Sequence, residues 1–134
     1  ARLKDGIAIS PEEYQQRRER LKELQHSAHS HFKRCDVIAS PTVAVTAPAL
    51  DEVSTVSGYR PQNIAVLRNT CAGNSLGLCA ITLPVGLDTS GIPVGLQLMG
   101  ENGKDEKLVC IASYIERLIG NRAERIGSPP NISG

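Results

Sequence analysis

The chain is 134 residues long and carries 15 Lys and Arg against 14 Asp and Glu, a formal net charge of +1. That length fits one ordinary domain, and the near-neutral balance argues against a nucleic-acid-binding face, which shows as a basic patch or stripe. With 40% apolar and 22% charged residues, the composition is that of a folded chain, and no apolar run approaches the roughly 18 residues of a membrane helix.

Ala1-Arg2-Leu3-Lys4-Asp5 has no apolar core, so no signal peptide is expected and a cytoplasmic protein is. Ser10-Pro11-Glu12-Glu13 predicts a helix start: Ser10 caps, Pro11 sits where its missing N–H costs nothing, and Glu13 reaches back in a capping box. Tyr14, Leu21, Leu24, Ala28, Phe32 and Cys35 then recur as one apolar stripe of a helix over about 11–34. Arg17, Arg18, Glu19, Arg20, Lys22 and Glu23 interleave acids with bases, as on a solvated face. Residues 36–40, stopped by Pro41, read as a short buried strand. A long loop over 42–61 follows, of a length that marks a functional segment or a cover.

Pro61 is expected to open a second helix over about 61–72, ended by Gly73. Residues 78–83 form a second strand, broken by Pro84, because proline in a strand is confined to edges, ends or bulges. Asp88-Thr89-Ser90-Gly91 is turn chemistry. Residues 94–99 form a third strand that pairs antiparallel with the second. The first strand is too far in sequence from the second to form a hairpin with it. Asp105 is read as the cap of a last helix over about 105–119, with Leu108, Ile111, Ala112, Ile115, Leu118 and Ile119 on its stripe and Gly120 closing it. Residues 121–134 are expected to be a poorly ordered tail.

Cys35, Cys71, Cys79 and Cys110 form no Cys-x-x-Cys pair and sit beside apolar residues, so they read as buried free thiols in a reducing compartment. His26, His29 and His31 lack further ligands at useful spacing, so no metal site is expected. Gly73-Asn74-Ser75-Leu76-Gly77 matches G-x-S-x-G, but a nucleophile elbow needs a strand before the serine and a helix after it. Here that order is reversed, and no histidine follows His31. An independent enzyme using Ser75 or a cysteine is therefore the weaker alternative.

Ser40-Pro41-Thr42, Asn74, Gly77-Leu78, Pro84-Val85-Gly86 and Gly91-Ile92-Pro93-Val94-Gly95-Leu96-Gln97-Leu98-Met99-Gly100 follow one another in a distinctive order, after a long helix with Tyr14 near its start. In this the chain resembles the C-terminal portion of amidase-signature enzymes, which include simple amidases and the A subunit of the Glu-tRNA(Gln) amidotransferase. The resemblance covers nearly all of residues 1–120 and departs at Ala72 and Cys79, where the family often has Pro. Those departures lean towards a simple amidase. The resemblance implies a mixed α/β fold, a small mixed sheet of three to four strands flanked by the three helices.

It also implies hydrolysis of a C–N amide bond by a serine, a second serine in a cis peptide and a lysine, with backbone N–H groups holding the oxyanion. The Gly-rich Ser-Ser segment of that machinery has no counterpart among these 134 residues. The expectation is that residues 1–120 are the C-terminal part of an amidase domain, with no catalytic residue in this chain and no catalysis by it alone. Thr42, Asn74 and Asp105 are the candidate substrate-pocket residues, and the loop after Thr42 is a candidate pocket wall. Helix capping competes with a pocket role at Asp105, and satisfaction of helix-end backbone groups competes at Asn74.

No cofactor is implied. The expected partners are the remainder of the amidase chain, a small-molecule amide and further copies in a homo-oligomer, with neither nucleic acid nor membrane. The competing readings are a self-contained binding or assembly module and a fragment of the A subunit of the amidotransferase. Part of a larger sheet leaves a strand edge and an apolar face uncovered, whereas a module covers them.

Overall fold

The computed structural model describes residues 7–127. Helix α1 spans Pro11–His31, strand β1 Ile38–Pro41, helix α2 Val56–Leu76, strand β2 Cys79–Leu87, strand β3 Pro93–Gly100, helix α3 Asp105–Ile119 and helix α4 Arg122–Ile126. The sheet order is β1-β3-β2. Both ladders are antiparallel, so among the described residues the sheet is not of mixed direction. The β2–β3 hairpin has the expected pairing, and β1 joins the free side of β3. The hairpin turn is held by Asp88, whose Oδ1 accepts from the backbone N–H of Ser90 and of Ile92, both at 2.8 Å.

Side chains alternate between the two faces of a strand. One face carries the rows Leu83–Leu96, Ile81–Leu98 and Cys79–Gly100. Helix α3 packs there, and Leu83, Leu98, Leu108 and Ala112 make the core. A Cβ at Gly100 would crowd Cys79 Sγ of the neighbouring strand at 3.0 Å, while its 3.5 Å approach to the Leu108 side chain would be an ordinary contact. The opposite face carries Ser40–Gln97–Thr82 and Ile38–Met99–Ala80. Gly73 of α2 meets Gln97 and Met99 on that face. Helix α1 lies on α2, with Gln25 Nε2 donating to the Ser75 carbonyl at 2.9 Å.

Several expectations are corrected. Helix α2 starts five residues before Pro61, because Thr55 caps it by accepting from Gly58 N–H at 3.2 Å. Gly58 permits the tight entry, since a Cβ there would collide with the Glu52 carbonyl. Pro61 sits inside the helix, and Gly73 is interior and buried. The helix ends at Gly77 (φ +68°), where Gly77 N–H bonds Asn74 O and Leu78 N–H bonds Gly73 O. Those two bonds are a Schellman ending, which the left-handed glycine makes possible. Pro84 does not end β2; it sits at an irregularity between Pro84 and Gly86 on an edge strand, a position proline tolerates.

β1 is an exposed edge rather than a buried strand, with only Ser40 half-buried. At the start of α1, Ser10 accepts from Glu13 N–H at 3.1 Å, but the Glu13 carboxylate pairs with Arg17 at 2.6 Å rather than closing the capping box. Residues 122–126 of the expected tail are helical, capped reciprocally by Asn121 and Glu124. The rest of that tail, residues 128–134, lies outside the described residues, as do residues 1–6.

Gly73 is an interior helical glycine with room for a methyl group: a Cβ would lie 3.6 Å from Met99 Sδ, an ordinary contact. Gly73→Ala should therefore stabilise the fold by about 0.5–1 kcal/mol through helix propensity, read as a raised midpoint in thermal unfolding.

Candidate functional site

β1 and β2 flank β3, and their side chains meet above Gly95. The Thr42 backbone N–H donates to Gly95 O at 2.8 Å, placing Thr42 beside Gly95 just past the end of β1. Thr42 Oγ1 donates to Thr82 Oγ1 at 3.3 Å. This hydroxyl pair spans the central strand only because Gly95 has no side chain: a Cβ would stand 2.6 Å from Thr42 Oγ1 and 2.7 Å from Thr82 Cγ2. Asn69 of α2 donates to the Pro41 carbonyl at 2.8 Å and pins the end of β1.

Beside this pair lies a groove of about 380 Å³, bounded by residues 43–48, by Val66 of α2 and by residues 92–95. Its lining is apolar apart from Thr46. An apolar cleft closed at one end by a few polar groups is the usual form of a small-molecule site. The expected pocket wall, the loop after Thr42, is thus one side of an actual groove.

The three candidate residues are not brought together. Thr42 adjoins the groove. Asp105 lies past the other end of β3, five residues beyond Gly95 at Gly100 and then across a loop, roughly 17 Å along the strand. It is the first residue of α3 rather than its cap; Lys104 holds the cap position and no side chain caps this helix. A carboxylate in the first turn still faces the positive end of the helix dipole. Asn74 is exposed in the last turn of α2, and its main-chain oxygen, not its side chain, serves the helix end.

Ser75 lies within the same last turn, with helix before it and a strand after it, so the elbow geometry is not formed. His29 Nδ1 is 3.4 Å from Glu101 Oε1, and His26 and His31 are exposed. Among the described residues no group of three His, Cys, Asp or Glu is placed to hold a metal ion. Cys35, Cys71 and Cys110 are exposed and Cys79 is half-buried, which corrects the reading of them as buried. Val109, beside Cys110, is 52% exposed, whereas Cys79 and nearby Ile81 pack against the core. Lys107 pairs with Asp36 at 2.7 Å, and that hydrogen bond and charge hold the lysine pKa above its ordinary value.

Sequence reasoning missed Thr82, Asn69 and Gln97. Gln97 is 4% exposed, directly opposite Thr82, and among the described residues its Oε1 is buried without a hydrogen-bond partner. One signal was available: Gln97 is the lone polar side chain in the run Val94-Gly95-Leu96-Gln97-Leu98-Met99.

Comparison with known proteins places this arrangement. The Amidase family profile matches residues 2–109. A 2-amino-5-chloromuconic acid deaminase of Comamonas testosteroni is 41% identical over 128 residues, which are 96% of this chain and 28% of that protein. The A subunit of the Glutamyl-tRNA(Gln) amidotransferase of Psychrobacter sp. (strain PRwf-1) is 39% identical over 87 residues, 64% of this chain and 16% of that protein. The solved structure of a 6-aminohexanoate cyclic dimer hydrolase complexed with substrate superposes with a TM-score of 0.78 at 20% identity, over 93% of this chain and 28% of that one. That likeness shows a shared fold. The chain spans less than a third of the length of each of these relatives.

Proposed function

Because the chain belongs to the Amidase family, we propose that it is the C-terminal part of an enzyme that hydrolyses a C–N amide bond. Residues 1–120 form part of the amidase domain, with residues 121–134 appended. The reacting groups come from the part of the fold outside this chain, which alone has no turnover. The supporting observation is the surface left open. Ile64 and Leu67 on α2, Tyr14, Leu21 and Leu24 on α1, and Val109, Tyr114 and Leu118 on α3 are all more than a third exposed. Apolar faces on three helices at once mark surfaces meant to be covered, and among the described residues both outer strands of the sheet present free edges.

The same openness weighs against a self-contained binding module. The apolar groove and the Thr42–Thr82 pair beside it contribute one wall of the substrate pocket. The substrate is a small amide, and the working protein is a homo-oligomer in the cytoplasm, where four thiols stay reduced. No helix among the described residues is long and apolar enough to cross a membrane. The A subunit of an amidotransferase is the second reading, supported by the 39% identity over 87 residues. Ala72 and Cys79, where the family often has proline, weigh towards a simple amidase.

Release of ammonia or amine from a panel of small amides tests this. The full-length protein that carries this chain should turn over at least one amide, and the 134-residue chain none. No hydrolysis by the full-length protein, or equal hydrolysis by the chain alone, sinks the reading.

A further inference from the structure

We infer that the groove beside Thr42 selects amides whose substituent is uncharged and apolar, with Thr46 and Val66 as its specificity-determining residues. This rests on the amide hydrolysis proposed above and names the substrate class of that same pocket wall. Three elements meet around the groove: the loop of residues 43–48, Val66 in the middle of α2, and residues 92–95 at the start of β3. Val43, Val45, Val66 and Val94 are half-buried, so each of the three elements holds apolar surface in place there. Among the described residues no charged side chain lines the groove, and Thr46 is the one residue of the lining with a polar side chain.

Charge decides the occupant. An ionised group placed against this lining would lose water and gain no counter-charge, which is strongly unfavourable. An alkyl or aryl group instead gains by leaving water, in proportion to the apolar area it buries. The Thr46 hydroxyl offers hydrogen-bonding sites but no charge. The volume of about 380 Å³ lies at the small end of the range for small-molecule sites. The occupant is therefore the uncharged apolar part of a small amide, and a carboxylate or an ammonium group is turned away. Binding energy from a non-reacting part of the substrate raises kcat/KM for one amide over another. Thr46 is exposed on the loop, so a charge placed there reaches the groove without entering the core. Val66 lines it from the helix side, so a larger side chain there takes up groove volume.

The test uses the full-length protein and amides of equal chain length whose far ends are a methyl group, a carboxylate or an ammonium. One series varies the acyl group and another the nitrogen substituent. In at least one series the methyl-ended amide should exceed both charged ones at least tenfold in kcat/KM. Thr46→Lys should shift the ratio of carboxylate-ended to methyl-ended amide at least tenfold towards the carboxylate, and Thr46→Asp should do the same for the ammonium. Val66→Phe should lower kcat/KM for the methyl-ended amide at least tenfold and leave acetamide, too short to fill the groove, within threefold of wild type. Melting temperatures of both Thr46 variants should stay at the wild-type value. Charged and methyl-ended amides hydrolysed equally by wild type, or ratios unmoved by either charge at Thr46, would overturn the inference while leaving amide hydrolysis in place. So would lower melting temperatures of the Thr46 variants with equal losses on every amide, because the groove is then filled by another part of the chain. Wild-type protein that hydrolyses no amide would overturn the function on which the inference rests, and the inference with it.

Discussion

Leu98→Ala should destabilise the fold more than any other single truncation, by about 3–5 kcal/mol. Leu98 is 1% exposed, in the centre of the middle strand, and packs with Leu83, Leu108 and Ala112. Truncation removes the buried methyl groups and leaves a cavity that strands on both sides prevent from collapsing. Few other buried apolar residues share the load: Ala28 and Met99 complete the buried apolar set among the described residues. Since whole domains are stable by only about 5–15 kcal/mol, the loss should appear as a large fall in the denaturation midpoint. A shift below about 1 kcal/mol, the size of an ordinary substitution, would mean that Leu98 is not the centre of the core.

Gly95→Ala should also be damaging, for a different reason. The new methyl group would sit 2.6 Å from Thr42 Oγ1 and 2.7 Å from Thr82 Cγ2. Both threonines are β-branched and short, so neither can swing aside as a long side chain would. The strands must part or the threonines leave their rotamers, at about 1–3 kcal/mol. The hydroxyl pair would break in either case. Adding Thr42→Ala should restore much of the stability, because it removes one of the two clashing groups, yet it should not restore the hydroxyl contact. Denaturant unfolding of the single and double variants reads both effects. A Gly95→Ala protein as stable as wild type would show that β1 does not close over β3 as described.

The elements visible in the sequence were those whose signals are local. Helix α3 carries its whole apolar stripe from Leu108 to Ile119 and ends at Gly120, and both ends fall where the pattern puts them. The β2–β3 hairpin follows from two apolar runs around the Asp88 turn. The start of α2 was hidden because Gly58 and Pro61 look like breakers. Gly58 is in fact needed for the Glu52 carbonyl to approach, and Thr55 supplies the cap. Asp105 looked like a cap by residue type, and its displacement by one position depends on the turn before it. The partial site was the least visible part. Thr82 and Gln97 matter because two strands place them side by side, and Thr42 because Gly95 leaves space above the strand. Pairing and close approach of this kind are tertiary facts that periodicity does not carry. The cysteines failed for a related reason: apolar neighbours predict burial only when the partner layer is present.

We propose that the open helix faces and strand edges are interior surfaces of a larger amidase fold. Light scattering coupled to size exclusion, run on the 134-residue chain across a range of concentrations, tests it most directly. If those surfaces belong inside a larger fold, the isolated chain should associate, with an apparent mass above 14.4 kDa that rises with concentration. A monodisperse monomer at every concentration would contradict the claim and turn the search towards a self-contained module.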